Sequence, residues 1–136
     1  LKCACTVGAD VPVLLGGTGR SAAAFLSDSE LSRCIETQKR IGNPVCGKEE
    51  LRAVVKRARS NGYYISHSEL DDAINALGLP IFGKNGVVLG SLSIVAPSSR
   101  MSDEVTWELL PEARRSAQRI SERMGYDGNM LNSKGE

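Results

Sequence analysis

Gly62-Tyr63-Tyr64-Ile65-Ser66-His67-Ser68-Glu69-Leu70-Asp71-Asp72-Ala73-Ile74-Asn75-Ala76-Leu77-Gly78-Leu79-Pro80-Ile81-Phe82-Gly83 reads as a strand, a turn and a second strand. The first strand, Tyr63–Glu69, carries Ser66, His67 and Glu69 where a simple core strand would carry apolar side chains. Asp71-Asp72 suits the turn, since aspartate side chains bond the local backbone. The second strand, Ala76–Phe82, is almost wholly apolar. A polar strand beside an apolar one suggests a binding wall built on a sheet.

Moving toward the C-terminus, Gly83-Lys84-Asn85-Gly86 contains Asn-Gly, the strongest short hairpin signal, and predicts a third strand over Val87–Val95. On that strand Ser93 projects into a surface otherwise lined by apolar residues, and Pro97 closes it. Ser102 caps a last helix to Met124, with Leu110, Ala113, Ala117, Ile120 and Met124 as its buried stripe. Pro111 is expected to kink or restart that helix. Residues 127–136 read as a loose polar tail.

Toward the N-terminus, Leu51, Val54, Val55 and Ala58 make the apolar stripe of a helix over Lys48–Ser60, which Asn61-Gly62 stops. Arg52, Lys56, Arg57 and Arg59 on its outside are read as a solvated face ahead of a docking face. Ser27 with Glu30 forms a capping box for a helix to about Thr37, and residues 38–46 form a loop. The alanine-rich stretch Arg20–Leu26 favours a short helix after Gly16-Gly17-Thr18-Gly19, and Lys2–Val7 alternates as a half-buried strand ended by Gly8-Ala9-Asp10. The order of strand, helices, antiparallel strands and helix gives an α+β fold, a curved antiparallel sheet with helices on one side and the other face free to cup a ligand.

With 136 residues the chain is large enough to bury a core as one domain, and its net charge of +1 supplies no global field toward nucleic acid or an acidic membrane. Aromatic residues make up 4% of the chain, too few for a base-stacking strip, so this stretch alone should not read DNA. The apolar runs are too short to span a bilayer and the N-terminus lacks a signal-peptide layout, so a cytoplasmic protein with no membrane contact is expected. A chain that opens directly on a strand reads as a piece of a longer protein.

The candidates for chemistry are few. Cys3 and Cys5 sit two apart while Cys34 and Cys46 lie far off, and with a single histidine this falls short of a structural zinc pattern. Reduced, buried thiols and no metal are the reading. His67, the only histidine, would need a nucleophile or an orienting acid, yet Ser66 points to the opposite face of the strand. A small enzyme using His67 with a cysteine or serine therefore stays only as the alternative, with no catalytic residue and no cofactor assigned. The Gly16–Gly19 loop is either a tight structural turn or a backbone cradle for an anion at a helix start.

Together these residues resemble the effector-binding, C-terminal domain of the IclR family of bacterial transcription regulators. Within that family's signature Gly62, Ser66, Glu69, Ala76, Leu77, Gly78, Ile81 and Phe82 fit in register, and Gly83 departs where Asp or Asn is usual. Val7-Gly8, Pro12 and Gly17-Thr18-Gly19-Arg20 are similar to the family's Val-Gly, Pro and Gly-x-Gly-Lys stretch. Leu92-Ser93-Ile94 through Pro97 and Ser99-Arg100 resembles its S-I-S-G-P-x-S-R strand end, and Ala117, Ile120-Ser121 and Met124-Gly125 its closing helix.

The resemblance implies a GAF- or profilin-like ligand-sensing domain over residues 1–126, followed by a tail at 127–136. It implies a preceding winged helix-turn-helix, a linker helix and the domain's first strands, with DNA contacted only through that N-terminal part. It implies a repressor or activator, a homodimer or homotetramer, whose hold on an operator changes when a small organic acid or aromatic compound binds. The pocket residues it implies are Gly17, Thr18, Ser66, Ile74, Ala76, Ser93 and Val95. Ser66 in place of an acidic residue, Asn75 for a frequent Arg, Ala76 for a possible Cys and Val95 for a frequent Ser make this pocket less polar, pointing to a larger, more apolar effector.

Overall fold

Capping chemistry marks out the helices of the computed structural model, which describes residues 6–43 and 45–128. Helix α1 spans Gly16–Ala23, α2 Asp28–Arg40 and α3 Lys48–Asn61. Ser27 Oγ accepts from the Glu30 N–H, and the Glu30 carboxylate accepts from the Ser27 N–H at 2.8 Å, which is the expected capping box. Gly62 ends α3 at φ 77°, a left-handed conformation that glycine adopts without strain, and its N–H returns to the Ala58 carbonyl. The strand expected at Lys2–Val7 falls mainly on residues 1–5, outside the described residues, and with it Cys3 and Cys5. Thr6 to Ala9 form a turn, closed by the Ala9 N–H on the Thr6 carbonyl.

Strands β1 (Tyr64–His67), β2 (Ile74–Phe82) and β3 (Val88–Pro97) form an antiparallel sheet in the order β1-β2-β3. Ser66 pairs with Ala76 and Ala76 with Val95, while Tyr64 pairs with Gly78 and Gly78 with Ser93. Between β2 and β3, Asn85 and Gly86 both take positive φ, 64° and 73°, which is why Asn-Gly serves this turn.

Residues Asn75 to Ile81 are all buried, so β2 asks for cover on both faces. Leu77, Leu79 and Ile81 pack with Met101, Leu110, Ala113 and Ala117, the last three from helix α4 (Asp103–Arg123). Ile74, Ala76 and Gly78 alternate with these residues and face α1. Behind α1 a second core joins Leu14, Ala23 and Ala24 to Leu31 of α2 and Leu51, Val55 and Ala58 of α3. The α+β class and the antiparallel sheet are those expected. The layering differs in one respect: α4 covers one face of the sheet and α1 packs on part of the other, so the helices are not all on one side.

Two further differences have local causes. Helix α4 runs unbroken through Pro111. Pro111 and Trp107 both lie on its exposed side, where water can meet a carbonyl that loses its helical donor. The buried stripe of α4 ends at Ser121 and not at Ile120 and Met124, which are exposed. Ser121 Oγ accepts from the Phe82 N–H at 3.0 Å and so satisfies the bulged end of β2, which an isoleucine could not do.

Candidate functional site

Helix α1 begins at Gly16, four residues before the expected start at Arg20, with the glycine loop as its first turn. Glycine is a poor helix former, and here close packing overrides propensity. A Cβ on Gly19 would lie 2.6 Å from the Pro12 carbonyl oxygen, and one on Gly17 would lie 3.1 Å from Ala76 Cβ. A Cβ on Gly78 would overlap the Gly17 carbonyl and come 2.6 Å from Ser21 Oγ. Backbone thus rests on backbone where α1 crosses β2. Gly16, at φ 74°, supplies the left-handed residue that turns the extended Leu15 into the helix.

Two of the N–H groups at this helix start are engaged by the protein itself. The Gly16 N–H donates to Glu69 Oε2 at 3.2 Å, and the Gly17 N–H to Ser66 Oγ at 3.0 Å. Glu69 Oε2 also lies 3.0 Å from Arg20 Nη1, and Glu69 Oε1 accepts from the Tyr64 hydroxyl at 2.7 Å. Arg20 Nη1 donates in turn to Tyr64 Oη at 2.7 Å, and its Nε to the Leu14 carbonyl at 3.0 Å. Burial alone would lower the Arg20 pKa, but the Tyr64 hydrogen bond and the fields of Tyr64 and Glu69 outweigh it and raise the value. Burial, and then the bond to Glu69, push the Tyr64 phenol up, with Arg20 pulling the other way. The anion at the N-terminus of α1 is therefore an internal one, the Glu69 carboxylate.

Beside this network a cavity of about 260 Å³ opens between α1, the segment leading into it, and the α1-facing side of the sheet. Its walls are apolar over Val11, Pro12, Leu15, Leu70, Ile74, Ala76 and Val95. Thr18 and Ser66 supply hydroxyls, and Asp10 and Asp71 the only charged side chains that line it among the described residues. Leu70 and Asp71 belong to the β1–β2 loop, which is bracketed by two non-glycine residues in the left-handed region, Ser68 at φ 51° and Ala73 at φ 61°. Such strained backbone is held only where its surroundings over-determine it. Here the Ser68 N–H bonds the Ile74 carbonyl and the Ser98 N–H bonds the Ala73 carbonyl.

Gly17, Thr18, Ser66, Ile74, Ala76 and Val95 thus come together around one cavity. Ser93 does not line it. Its hydroxyl donates to Thr18 Oγ1 at 2.8 Å, and that of Ser91 to the Thr18 carbonyl at 2.8 Å, so the polar residues of β3 hold Thr18 in place. His67 points to the other face of the sheet, where its Nε2 lies 2.7 Å from Asp103 Oδ1 at the start of α4, away from Ser66 and the cavity. Cys34 and Cys46 pack against the core behind α1. Burial raises the Cys34 pKa, with Glu30 adding to it and Arg33 opposing. Among the described residues no three His, Cys, Asp or Glu side chains cluster as metal ligands would.

Leu15 and Leu70 line the cavity with no mark in the sequence, and so do Asp10 and Asp71, for which the sequence predicts only a strand end and a turn. Each sits in a loop or a helix approach, where no periodicity marks a side chain as inward-facing. Arg20 and Tyr64 were missed as partners of Glu69 for a similar reason. The available clue was chemical: an arginine in a short, alanine-rich, buried helix needs an acid from elsewhere.

A family model described as the C-terminal domain of the bacterial transcriptional regulator IclR matches residues 1–122. The HTH-type transcriptional regulator KipR of Bacillus subtilis is 28% identical over 123 residues, covering 88% of this chain and 49% of KipR. The HTH-type transcriptional regulator KdgR of Escherichia coli is 26% identical over 123 residues, covering 88% of this chain and 47% of KdgR. The crystal structure of Pseudomonas aeruginosa HmgR superposes with a TM-score of 0.78 at 26% identity, over 95% of this chain and 53% of HmgR. The chain spans about half the length of the curated relatives it matches.

Proposed function

Because the chain belongs to the IclR family of bacterial transcriptional regulators, matching its C-terminal domain, we propose that residues 1–126 are the effector-binding and oligomerisation domain of such a regulator. A small molecule enters the cavity beside α1 and biases the arrangement of a cytoplasmic homodimer or homotetramer. That bias changes how firmly a separate N-terminal domain holds its operator. The observation that carries this reading is the cavity itself, which gathers Gly17, Thr18, Ser66, Ile74, Ala76 and Val95. Ligand recognition here is non-covalent. The switch requires that the effector favour one arrangement over another, since equal affinity for both would shift nothing.

The walls favour a ligand with an apolar body. Their aliphatic side chains greatly outnumber the hydroxyls, and the Gly16 and Gly17 N–H groups that would hold a small acid are engaged by Glu69 and Ser66. At about 260 Å³ the space lies just below the usual ~300–1,000 Å³ of small-molecule sites, enough for a single-ring compound. Isothermal titration against a panel of two- and three-carbon acids and single-ring aromatics tests the reading. Aromatic compounds should bind. Tight binding of glyoxylate or pyruvate with none of the aromatics would sink the apolar assignment, and binding unchanged by a bulky residue at Val95 would place the site elsewhere.

A further inference from the structure

Helix α4 turns a sorted face outward. Along it Asp103, Glu104, Glu108 and Glu112 all precede Arg114, Arg115, Arg119 and Arg123, and Glu122 alone breaks the order. The helix dipole accounts for Asp103 and Glu104 in the first turn and Arg123 in the last, since its effect fades beyond the terminal turns. Glu108, Glu112, Arg114 and Arg115 lie mid-helix, where the dipole gives them no preference. Glu112 joins Arg115 at 2.7 Å and Arg119 at 3.5 Å, and Asp103 joins His67 at 2.7 Å, all exposed pairs that contribute little to the fold. An aromatic patch stands beside these charges. Trp107 is 52% exposed, its ring meets Tyr63 edge to face at 6.0 Å, and the Arg114 guanidinium lies 5.3 Å from the centre of the Tyr63 ring. Tryptophan, tyrosine and arginine are the side chains that most often anchor interfaces.

We propose that this face pairs α4 with the α4 of a second copy of the chain, antiparallel about a two-fold axis at Pro111. That register sets Glu108 opposite Arg114 and Trp107 opposite Arg115, and each contact occurs twice because a two-fold interface repeats it. The acidic half of one helix then meets the basic half of the other, and the Arg115 guanidinium covers the exposed Trp107 ring. A parallel pairing would set like charges side by side. The proposal rests on the oligomerisation part of the reading above and makes no use of the cavity. A face one helix wide falls at the low end of interface sizes, below about 1,200 Å², so association is micromolar or weaker and falls with salt.

Sedimentation equilibrium of this chain at low ionic strength, over about 5–500 μM protein, should show a monomer–dimer equilibrium that weakens about threefold or more in ~0.5 M salt. Trp107 is the only tryptophan in the chain, so its emission should shift to the blue over the same concentrations. Glu108→Arg alone and Arg114→Glu alone each set like charges opposite one another and should weaken self-association about tenfold. Mixing these two variants should restore it, because opposite charges face each other at both contacts of the mixed dimer. Trp107→Ala removes only an exposed ring and should weaken the dimer whether or not Arg114→Glu folds. Dimerisation unchanged by both Glu108→Arg and Trp107→Ala overturns the α4 face while leaving oligomerisation standing. Losses in the folded single variants that mixing does not repair overturn the antiparallel register. A chain that stays monomeric at the highest concentration overturns the face and the oligomerisation reading together.

Discussion

Arg20 and Glu69 meet at 3.0 Å across the junction of α1 and the β1–β2 loop, and Tyr64 bonds to both. The pair joins the helix that floors the cavity to the loop that forms its rim. Replacing Glu69 by Gln keeps a hydrogen-bond acceptor but leaves the Arg20 charge buried without a counter-charge. Removing one partner of a buried pair is costly, and with Glu69 partly open to water the expected loss is about 2–3 kcal/mol. Urea denaturation of the Glu69→Gln variant measures it. A loss below about 0.5 kcal/mol would show the pair to be incidental to stability.

Alkaline titration isolates the third member of this network. The folded-state pKa of Tyr64 is raised, so the unfolded chain gives up the phenolic proton first. Stability from this group is complete below the ordinary tyrosine value of about 10, and is lost as pH rises through the higher folded value. The Tyr64→Phe variant should be about 1 kcal/mol less stable at pH 7 for want of its hydrogen bonds. It should also lack this part of the decline above pH ~10. Thermal melts of both proteins between neutral and alkaline pH compare the two slopes.

Gly78 faces the Gly17 carbonyl so closely that a methyl group cannot be fitted without moving the helix. Gly78→Ala is expected to cost about 2 kcal/mol or more as an overpacked contact. It should also weaken ligand binding, because Gly17 and Thr18 shift with α1. A variant of unchanged thermal midpoint would mean that the helix-to-sheet spacing yields freely.

Ala73 holds φ 61°, which an L-residue with a Cβ adopts only under strain. Ala73→Gly should therefore raise stability by about 0.5–1 kcal/mol, the relief exceeding the extra freedom given to the unfolded chain. Chemical denaturation decides the sign. A destabilised variant would show that the Ala73 conformation carries no strain to release.

Val95 is 43% exposed at the cavity wall and pairs with Ala76. Val95→Trp should fill the opening at little cost in stability, because the larger side chain lies partly in solvent. Ligand affinity should fall at least tenfold, as a titration of the tightest aromatic binder will report. Undiminished binding would mean that ligands use another part of the surface.

The scaffold was legible because its boundaries are written in local chemistry: Ser27 with Glu30, Asn61-Gly62, Asn85-Gly86 and Ser102 each mark an end that the structure keeps within a few residues. Long-range packing was legible only in part. Neither the entry of Gly16–Gly19 into α1 nor the use of Ser121 in place of Ile120 follows from propensity or periodicity, since both depend on what lies opposite. The cavity walls supplied by strands could be placed by alternation. Those supplied by Asp10, Leu15, Leu70 and Asp71 could not, because loops have no period to betray their inward side.

Strand β2 sends alternate residues to two different surroundings, Leu77, Leu79 and Ile81 into the core beneath α4 and Ile74, Ala76 and Gly78 toward α1 and the cavity. Substitutions on the two sides share few partners and should add nearly independently. Evolution can then rewrite the chemical taste of one side by single replacements while the other keeps the architecture intact. A domain built on such a strand can vary its cavity wall without relearning how to fold.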